Sequence, residues 1–325
     1  MGADLHALGM AVGHASDEIG ATGVTVVRGI DAPFRAACAL LGRATGTREL
    51  DALSPRHLVD RVDAIMLTGG SAFGLDAAAG VMRWMEERGR GFPVGVATVP
   101  IVPAAVVFDL APCGSPSARP TAAMAYEACD RAAPNGHSEG SVGAGTGTTV
   151  GKAAGLDRAM KGGVGLALEA SGELQVAALA VVNALGDVRD AEGRILAGAR
   201  GDAGRFLDLS RSIATGSLPA QSRFASGALH NTTLAVVMSN AAMSREALAQ
   251  LAAASSVALG RRITPVGTSY DGDVVFATAP LDGLAATPLQ VEVLAVAALE
   301  RAIERAVRTA RGRDGIPGLA DAGHA

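Results

Sequence analysis

The chain has 325 residues, 49% hydrophobic and 18% charged, with 42 glycines and only 3% aromatics. That composition supports a large core of small, closely packed side chains and excludes a disordered chain. The net charge of −4, with no dense Lys/Arg cluster, excludes a surface that tracks a phosphate backbone, so no nucleic-acid partner is expected.

The N-terminal stretch "MGADLHALGMAVGHASD" carries acidic residues early and lacks a basic segment followed by an apolar one. No signal peptide is expected. The apolar runs are short and broken by Gly, Pro or charge, so no membrane span is expected either. Cys38, Cys113 and Cys129 are odd in number and show no CxxC spacing. They point to a reducing, cytoplasmic setting rather than to disulfides or zinc.

Residues 20–30, "GATGVTVVRGI", read as a glycine turn and a strand. "VDAIMLTGGSAFGLDAAAGVMRWMEERGRG" reads as strand, glycine turn and helix, with Leu75, Val81 and Trp84 on the buried side and Arg88-Gly89 at the end. "GVATVPIVPAAVVFDL" holds two prolines and predicts short or edge strands. Residues 111–140 read as loop with one short helix near 122–132. "GSVGAGTGTTVGKAAG" follows, then two strands, "GGVGLALEA" and "QVAALAVVNAL". Residues 187–229 are charged, Gly-rich or small and predict an exposed loop or linker.

"TTLAVVM", from Thr232, is apolar and β-branched and predicts a buried strand. "SREALAQLAAASSVALG" predicts a helix capped by Ser244 and stopped by Gly260. "DVVFATA" is another strand. "TPLQVEVLAVAALERAIERAVRTARG" is the clearest helix, with Thr287 as cap, Pro288 at its first position and Gln290 completing a capping box. There is no internal repeat, and strands interleave with helices, so the class is α/β or α+β.

Several motifs carry no chemistry on close reading. The run from Gly143 to Gly151 fails the P-loop template at Thr146 and Ala153, and its GxGxxG register from Gly143 ends on Thr148. It remains a tight backbone ending in Lys152. "GHSEG" places Ser138 in a GxSxG pattern without the strand and helix that a nucleophile elbow needs. His6, His14, His57, His137, His230 and His324 show no ligand spacing, so no metal is expected. Asp271 and Asp273, two apart before a strand, form either a turn or a coupled carboxylate pair. Asn183, at the end of an apolar strand, is either a turn former or a donor to an oxyanion.

The fragments "GVTVV", "LTGGSAFGLDAAAGVMRW", "VPIVPAAVVFDL", "VGAGTGTTVGK", "AVVNALGDV", "HNTTLAVV" and "DGDVVFA" occur in this order. From about Gly13 to Arg311 the chain resembles the self-processing N-terminal nucleophile hydrolases that include L-aminopeptidase/D-esterases, β-peptidyl aminopeptidases and nylon-oligomer endo-hydrolases. The Asn-Thr-Thr and Asp-Gly-Asp segments resemble the nylon-oligomer branch. The resemblance implies an α+β fold, a four-layer α-β-β-α sandwich, built as one domain over 1–325. It implies self-cleavage between Asn231 and Thr232 into a long chain, 1–231, and a short chain, 232–325. It makes Thr232 the nucleophile, Lys152, Asp271 and Asp273 the polar network around it, and Asn183 the oxyanion donor. A dimer or tetramer of processed units is implied too, with no cofactor. Family members tend to carry a tyrosine in the loop after "FDL"; here Arg119 stands near that place and Tyr126 lies further on.

The chemistry supports that implication independently. An N-terminal threonine carries its own base, an α-amine with a reference pKa near 7.7–8.0, whereas an internal threonine lacks it. The expected activity is hydrolysis of small amides: short peptides, amino-acid amides or ω-amino-acid oligomers. The competing readings are an aminopeptidase or esterase without nylon activity, an acyltransferase of the ornithine acetyltransferase type, and a non-catalytic scaffold.

Overall fold

The computed structural model describes residues 3–218 and 231–321. Two five-stranded sheets dominate. The first is built from β1 (Met10–Asp17), β2 (Thr22–Gly29), β4 (Thr47–Arg48), β5 (Ala64–Thr68) and β6 (Ala104–Val106), in the order β1-β2-β5-β6-β4. The second takes β3 (Phe34–Leu40), β7 (Gly163–Ser171), β8 (Leu174–Asn183), β9 (Thr232–Ser239) and β10 (Val274–Pro280), in the order β7-β8-β9-β10-β3. β9 and β10 run parallel, and the other pairs of the second sheet are antiparallel.

The sheets pack face to face. Val27, Ile65 and Leu67 of the first meet Leu179, Leu234, Val236 and Phe276 of the second in one core. Helices α1 (Ala78–Glu86) and α2 (Ala122–Asp130) cover the outer face of the first sheet, around Val24, Met66, Val81 and Trp84. Helices α4 (Arg245–Ser255), α5 (Val257–Arg262) and α6 (Pro288–Arg308) cover the second, against Val176, Val237, Val275, Leu299 and Ile303. The result is the α+β, α-β-β-α sandwich. β9 is buried on both faces along its whole length, which is why its sequence is a continuous apolar run rather than an alternating one.

The many glycines and few aromatics fit this layering. A Cβ on Gly165 of β7 would lie 2.0 Å from the Ala302 carbonyl oxygen of α6, and one on Gly13 of β1 would lie 2.0 Å from that of Ala128 in α2. Helix backbone therefore rests almost directly on strand backbone, a contact that larger side chains would prevent.

Some local expectations need correction. Residues 187–218 are not an exposed loop. They contain strands Asp187–Arg189 and Ile195–Ala197 and helix α3 (Leu209–Ala214), with Asp187, Val188, Ala197, Ala199 and Leu209 buried. One cause is Asp187, whose carboxylate accepts from the Ala199 N–H at 2.9 Å and the Leu209 N–H at 2.7 Å, pinning both segments. Residues 219–229 of that stretch lie outside the described residues. Gly260 does not stop a helix: α4 ends at Ser255 and α5 runs through Gly260. Ser244 does cap α4, accepting from the Ala247 N–H. Thr287 makes no side-chain cap bond, and the Gln290 amide reaches Ser171 instead of closing a capping box. No helix among the described residues is long and apolar enough to cross a membrane.

Candidate active site

The parallel pairing of β9 with β10, Leu234 beside Val274, brings the starts of both strands to one end of the second sheet. The antiparallel pairing of β8 with β9 sets Asn183 opposite Thr232. The register thus gathers Asn183, Asn231, Thr232 and the Asp271–Asp273 segment, all buried. Lys152 arrives from the glycine-rich run. Gly151 has φ +74°, and a Cβ there would lie 2.2 Å from the Ala199 nitrogen, so the turn that aims Lys152 requires glycine.

Thr232 Oγ1 donates to the carbonyl oxygen of Asn231 at 2.6 Å. The same carbonyl accepts from the Gly272 N–H at 2.8 Å, and the Asn231 N–H donates to the Tyr270 carbonyl at 3.4 Å. These two backbone bonds form an isolated parallel bridge between Asn231 and Asp271, in the register of the β9–β10 ladder but before its first pair, Leu234 and Val274. Asp273 Oδ1 then accepts from the Thr233 N–H at 2.6 Å. The Asn231–Thr232 peptide bond is therefore held on both sides.

Lys152 Nζ donates to both the backbone oxygen and the side-chain Oδ1 of Asn183, each at 2.9 Å. Asn183 Oδ1 also accepts from the Thr149 N–H, and its Nδ2 donates to the Phe108 carbonyl at 2.9 Å. Among the described residues the Lys152 Nζ bonds go to Asn183, and no ion pair joins Lys152 to Asp271 or Asp273. Lys152 is instead tied to the strand end that faces Thr232. Asp271 is held by the Thr268 N–H at 2.7 Å.

Burial dominates the electrostatics. It lowers Lys152 to about 7, against the opposing pull of Asp271. Near neutral pH the ammonium is thus in balance with the free amine. Burial, reinforced by Asp271, pushes Asp273 up to about 7, and burial also raises Asp271. Such displacements cluster where proton transfer takes place. Five buried polar atoms in these segments lack a hydrogen-bond partner: Asp273 Oδ2, Thr233 Oγ1, Thr149 Oγ1, and Asn231 Oδ1 and Nδ2. Unpaired buried polar groups cost stability and call for a functional account.

Sequence reasoning missed the Gly272 amide, the Thr149 N–H and the Phe108 carbonyl, because backbone groups leave no residue-type signature. A glycine between two aspartates was the visible trace of the first. Elsewhere, Arg119 stacks on Phe73 at 4.4 Å and Tyr126 bonds Glu87. Ser138 lies in a loop. Among the described residues no His/Cys/Asp/Glu group is placed to hold a metal; His230 and His324 lie outside them. The three cysteines are free.

Known proteins share this arrangement of chain. The model for "Peptidase family S58" matches residues 6–318. An uncharacterized aminopeptidase of Mycobacterium tuberculosis (strain ATCC 25618 / H37Rv) is 41% identical over 83% of this chain and 76% of its own length. A 6-aminohexanoate-oligomer endohydrolase of Kocuria sp. (strain KY2) is 32% identical over 83% of this chain and 72% of its own. Among solved structures, a Burkholderia sp. beta-aminopeptidase superposes with TM-score 0.70 at 19% identity, covering 98% of this chain and 92% of that one. The L-aminopeptidase D-Ala-esterase/amidase of Ochrobactrum anthropi, described as a new variant of the Ntn hydrolase fold, gives 0.69 at 18%, covering 96% and 89%. These two likenesses establish the fold.

Proposed function

The chain belongs to peptidase family S58, and on that premise we propose that it is a self-processed amidase whose nucleophile is Thr232, released by cleavage of the Asn231–Thr232 bond. One observation carries the reading: the Thr232 hydroxyl is hydrogen-bonded to the carbonyl it would attack, in a buried site bordered by two raised carboxyls and a lysine lowered to about 7. The hydroxyl adds to the Asn231 carbonyl carbon, the C–N bond breaks, and the hydroxyl proton ends on the Thr232 nitrogen. Water then opens the ester.

The freed α-amine serves as base for the same hydroxyl in turnover. Asp273, with Oδ2 unpartnered beside the β9 start, is the group that receives this amine. Asp271 and Lys152 balance its charge. Asn183 Nδ2 has two N–H bonds and spends one on Phe108, so the second is the donor toward a substrate oxyanion, an interaction worth about 3 kcal/mol in such sites.

The substrates in this reading are short peptides, amino-acid amides and ω-amino-acid oligomers. A second reading, aminopeptidase action without nylon activity, is favoured by one observation. The relatives at 41% identity are named as aminopeptidases, and the nylon-oligomer hydrolases stand at 31–32%. The working unit is proposed as a dimer or tetramer of processed chains, which light scattering tests. Processing is tested by a denaturing mass spectrum of active protein. Chains 1–231 and 232–325, roughly 23 and 9 kDa by length, support the reading. Active protein of a single 32.4 kDa mass would overturn it. Turnover of L-aminoacyl amides without turnover of 6-aminohexanoate oligomers decides for the second reading.

A further inference from the structure

Self-cleavage needs a donor for the negative charge that builds on the Asn231 carbonyl oxygen. Asn183, the side chain expected as oxyanion donor, spends one Nδ2 N–H on Phe108, Lys152 Nζ donates to Asn183, and among the described residues neither side chain bonds the Asn231 carbonyl. The carbonyl oxygen itself has two described donors, the Thr232 hydroxyl at 2.6 Å and the Gly272 N–H at 2.8 Å. When the hydroxyl gives up its proton and attacks, it stops donating. The Gly272 N–H is then the one described donor left at the oxygen, at the distance an oxyanion donor requires.

The geometry points to the backbone N–H of Gly272 as the oxyanion donor of self-cleavage. This rests on the reading of Asn231–Thr232 as the scissile bond. The step balances as above: Thr232 Oγ bonds to the Asn231 carbon, the carbonyl electron pair moves onto the oxygen facing Gly272 and returns as the C–N bond breaks, and the proton ends on the Thr232 nitrogen. Water later hydrolyses the ester, leaving an Asn231 carboxylate and a free Thr232.

Two features fix the donor. On either side of it, Asp271 and Asp273 are tied down by the Thr268 and Thr233 N–H groups, so the amide between them cannot swing. A Cβ on residue 272 would lie 2.5 Å from the Ala44 carbonyl oxygen and 2.9 Å from Thr232 Oγ1. A side chain there would crowd the nucleophile, so the position must be glycine for backbone and hydroxyl to approach the same carbonyl. The rival account is that this bond is merely the last rung of the β9–β10 ladder.

Amide-to-ester replacement separates the two. Glycolic acid at position 272, introduced into the full chain by cell-free suppression, removes the N–H and adds no side chain. The control is the hydroxy-acid analogue of Val275, in the interior of β10. The appearance of chain 232–325 is timed in both, and melting is compared in a Thr232→Ala background. We expect cleavage on the order of 100-fold slower for the 272 ester, near-native cleavage for the 275 ester, and matched melting. A 272 ester that cuts within a few-fold of the native chain, or no more slowly than the 275 ester, overturns the proposal. So does a 272 ester that melts well below the 275 ester, which makes the bond structural. If the unsubstituted chain never cuts at 231–232, the reading of the scissile bond has failed, and this proposal with it.

Discussion

Asp273→Asn should stabilise the uncut protein at pH 8 while impairing its processing. Asp273 is 1% exposed, Oδ1 accepts from the Thr233 N–H, the Gly267 N–H also faces the carboxyl, and Oδ2 makes no close hydrogen bond. The folded site holds its proton up to about 7, whereas a free aspartate ionises at 3.8. The folded state therefore binds the extra proton between those values, and stability falls as pH rises through that window. The raised pKa costs the folded state roughly 4 kcal/mol above pH 7, where the buried group must ionise, and roughly 1.6 kcal/mol at pH 5, where it must stay protonated. Asparagine does not titrate and keeps the acceptor for Thr233, but its NH₂ replaces the unpartnered oxygen at a cost of about 1–3 kcal/mol. The net gain is about 1–3 kcal/mol at pH 8 and about zero or slightly negative at pH 5. Melting in a Thr232→Ala background, where both proteins stay uncut, should rise by about 2–6 °C at pH 8 and not at pH 5. The same substitution with Thr232 intact should leave visible precursor on a gel, because the charge that receives the new amine is gone. An equal melting shift at both pH values, or a loss at pH 8, would refute the electrostatic argument. Full processing would refute the functional one.

Other outcomes follow from the same geometry. Thr232→Ala should give one uncut band and no amide hydrolysis, checked by gel and by release of amine from aminoacyl amides. Lys152→Met in that uncut background should be more stable than the parent at pH 6, and the difference should shrink as pH rises from about 7 toward 10.5. In that window the folded lysine has shed a proton that the unfolded one keeps, so melting curves across pH check the sign. Asp187→Ala should lower stability by about 2–4 kcal/mol, because the Ala199 and Leu209 N–H groups lose their acceptor. Urea titration measures this. Asp271→Asn should slow appearance of chain 232–325, whereas a mere turn at Asp-Gly-Asp would tolerate it.

The layers were legible wherever hydrophobic period and length agreed: the doubly buried runs of β8 and β9, the α6 pattern, and the glycine turn before α1. The five candidate residues could be named, and the register of β8, β9 and β10 explains why Asn183, Thr232, Asp271 and Asp273 share one end of a sheet, while Lys152 comes from the glycine-rich run. What stayed hidden was set by tertiary partners. Residues 187–218 look solvated by composition, yet two buried aspartates, Asp187 and Asp190, hold their backbone. Lys152 looks like a cation until its burial is known. Thr287 has the right letter for a cap, but Gln290 finds Ser171 instead. Bonds made by main-chain atoms, such as those of Gly272 and Phe108, have no letter at all.

The sheet order β7-β8-β9-β10-β3 places the two strands that follow Thr232 between strands that precede it. A cut at 231–232 would therefore fall inside a sheet rather than at its border, and neither fragment could leave without unzipping its neighbour along the full length of a strand. Dilution would not part them. Unfolding, by contrast, would change in kind: a one-molecule equilibrium before the cut becomes a two-molecule one after it, with recovery that depends on protein concentration. Proteins cleaved in this way persist by the slowness of their opening rather than by the ease of their return.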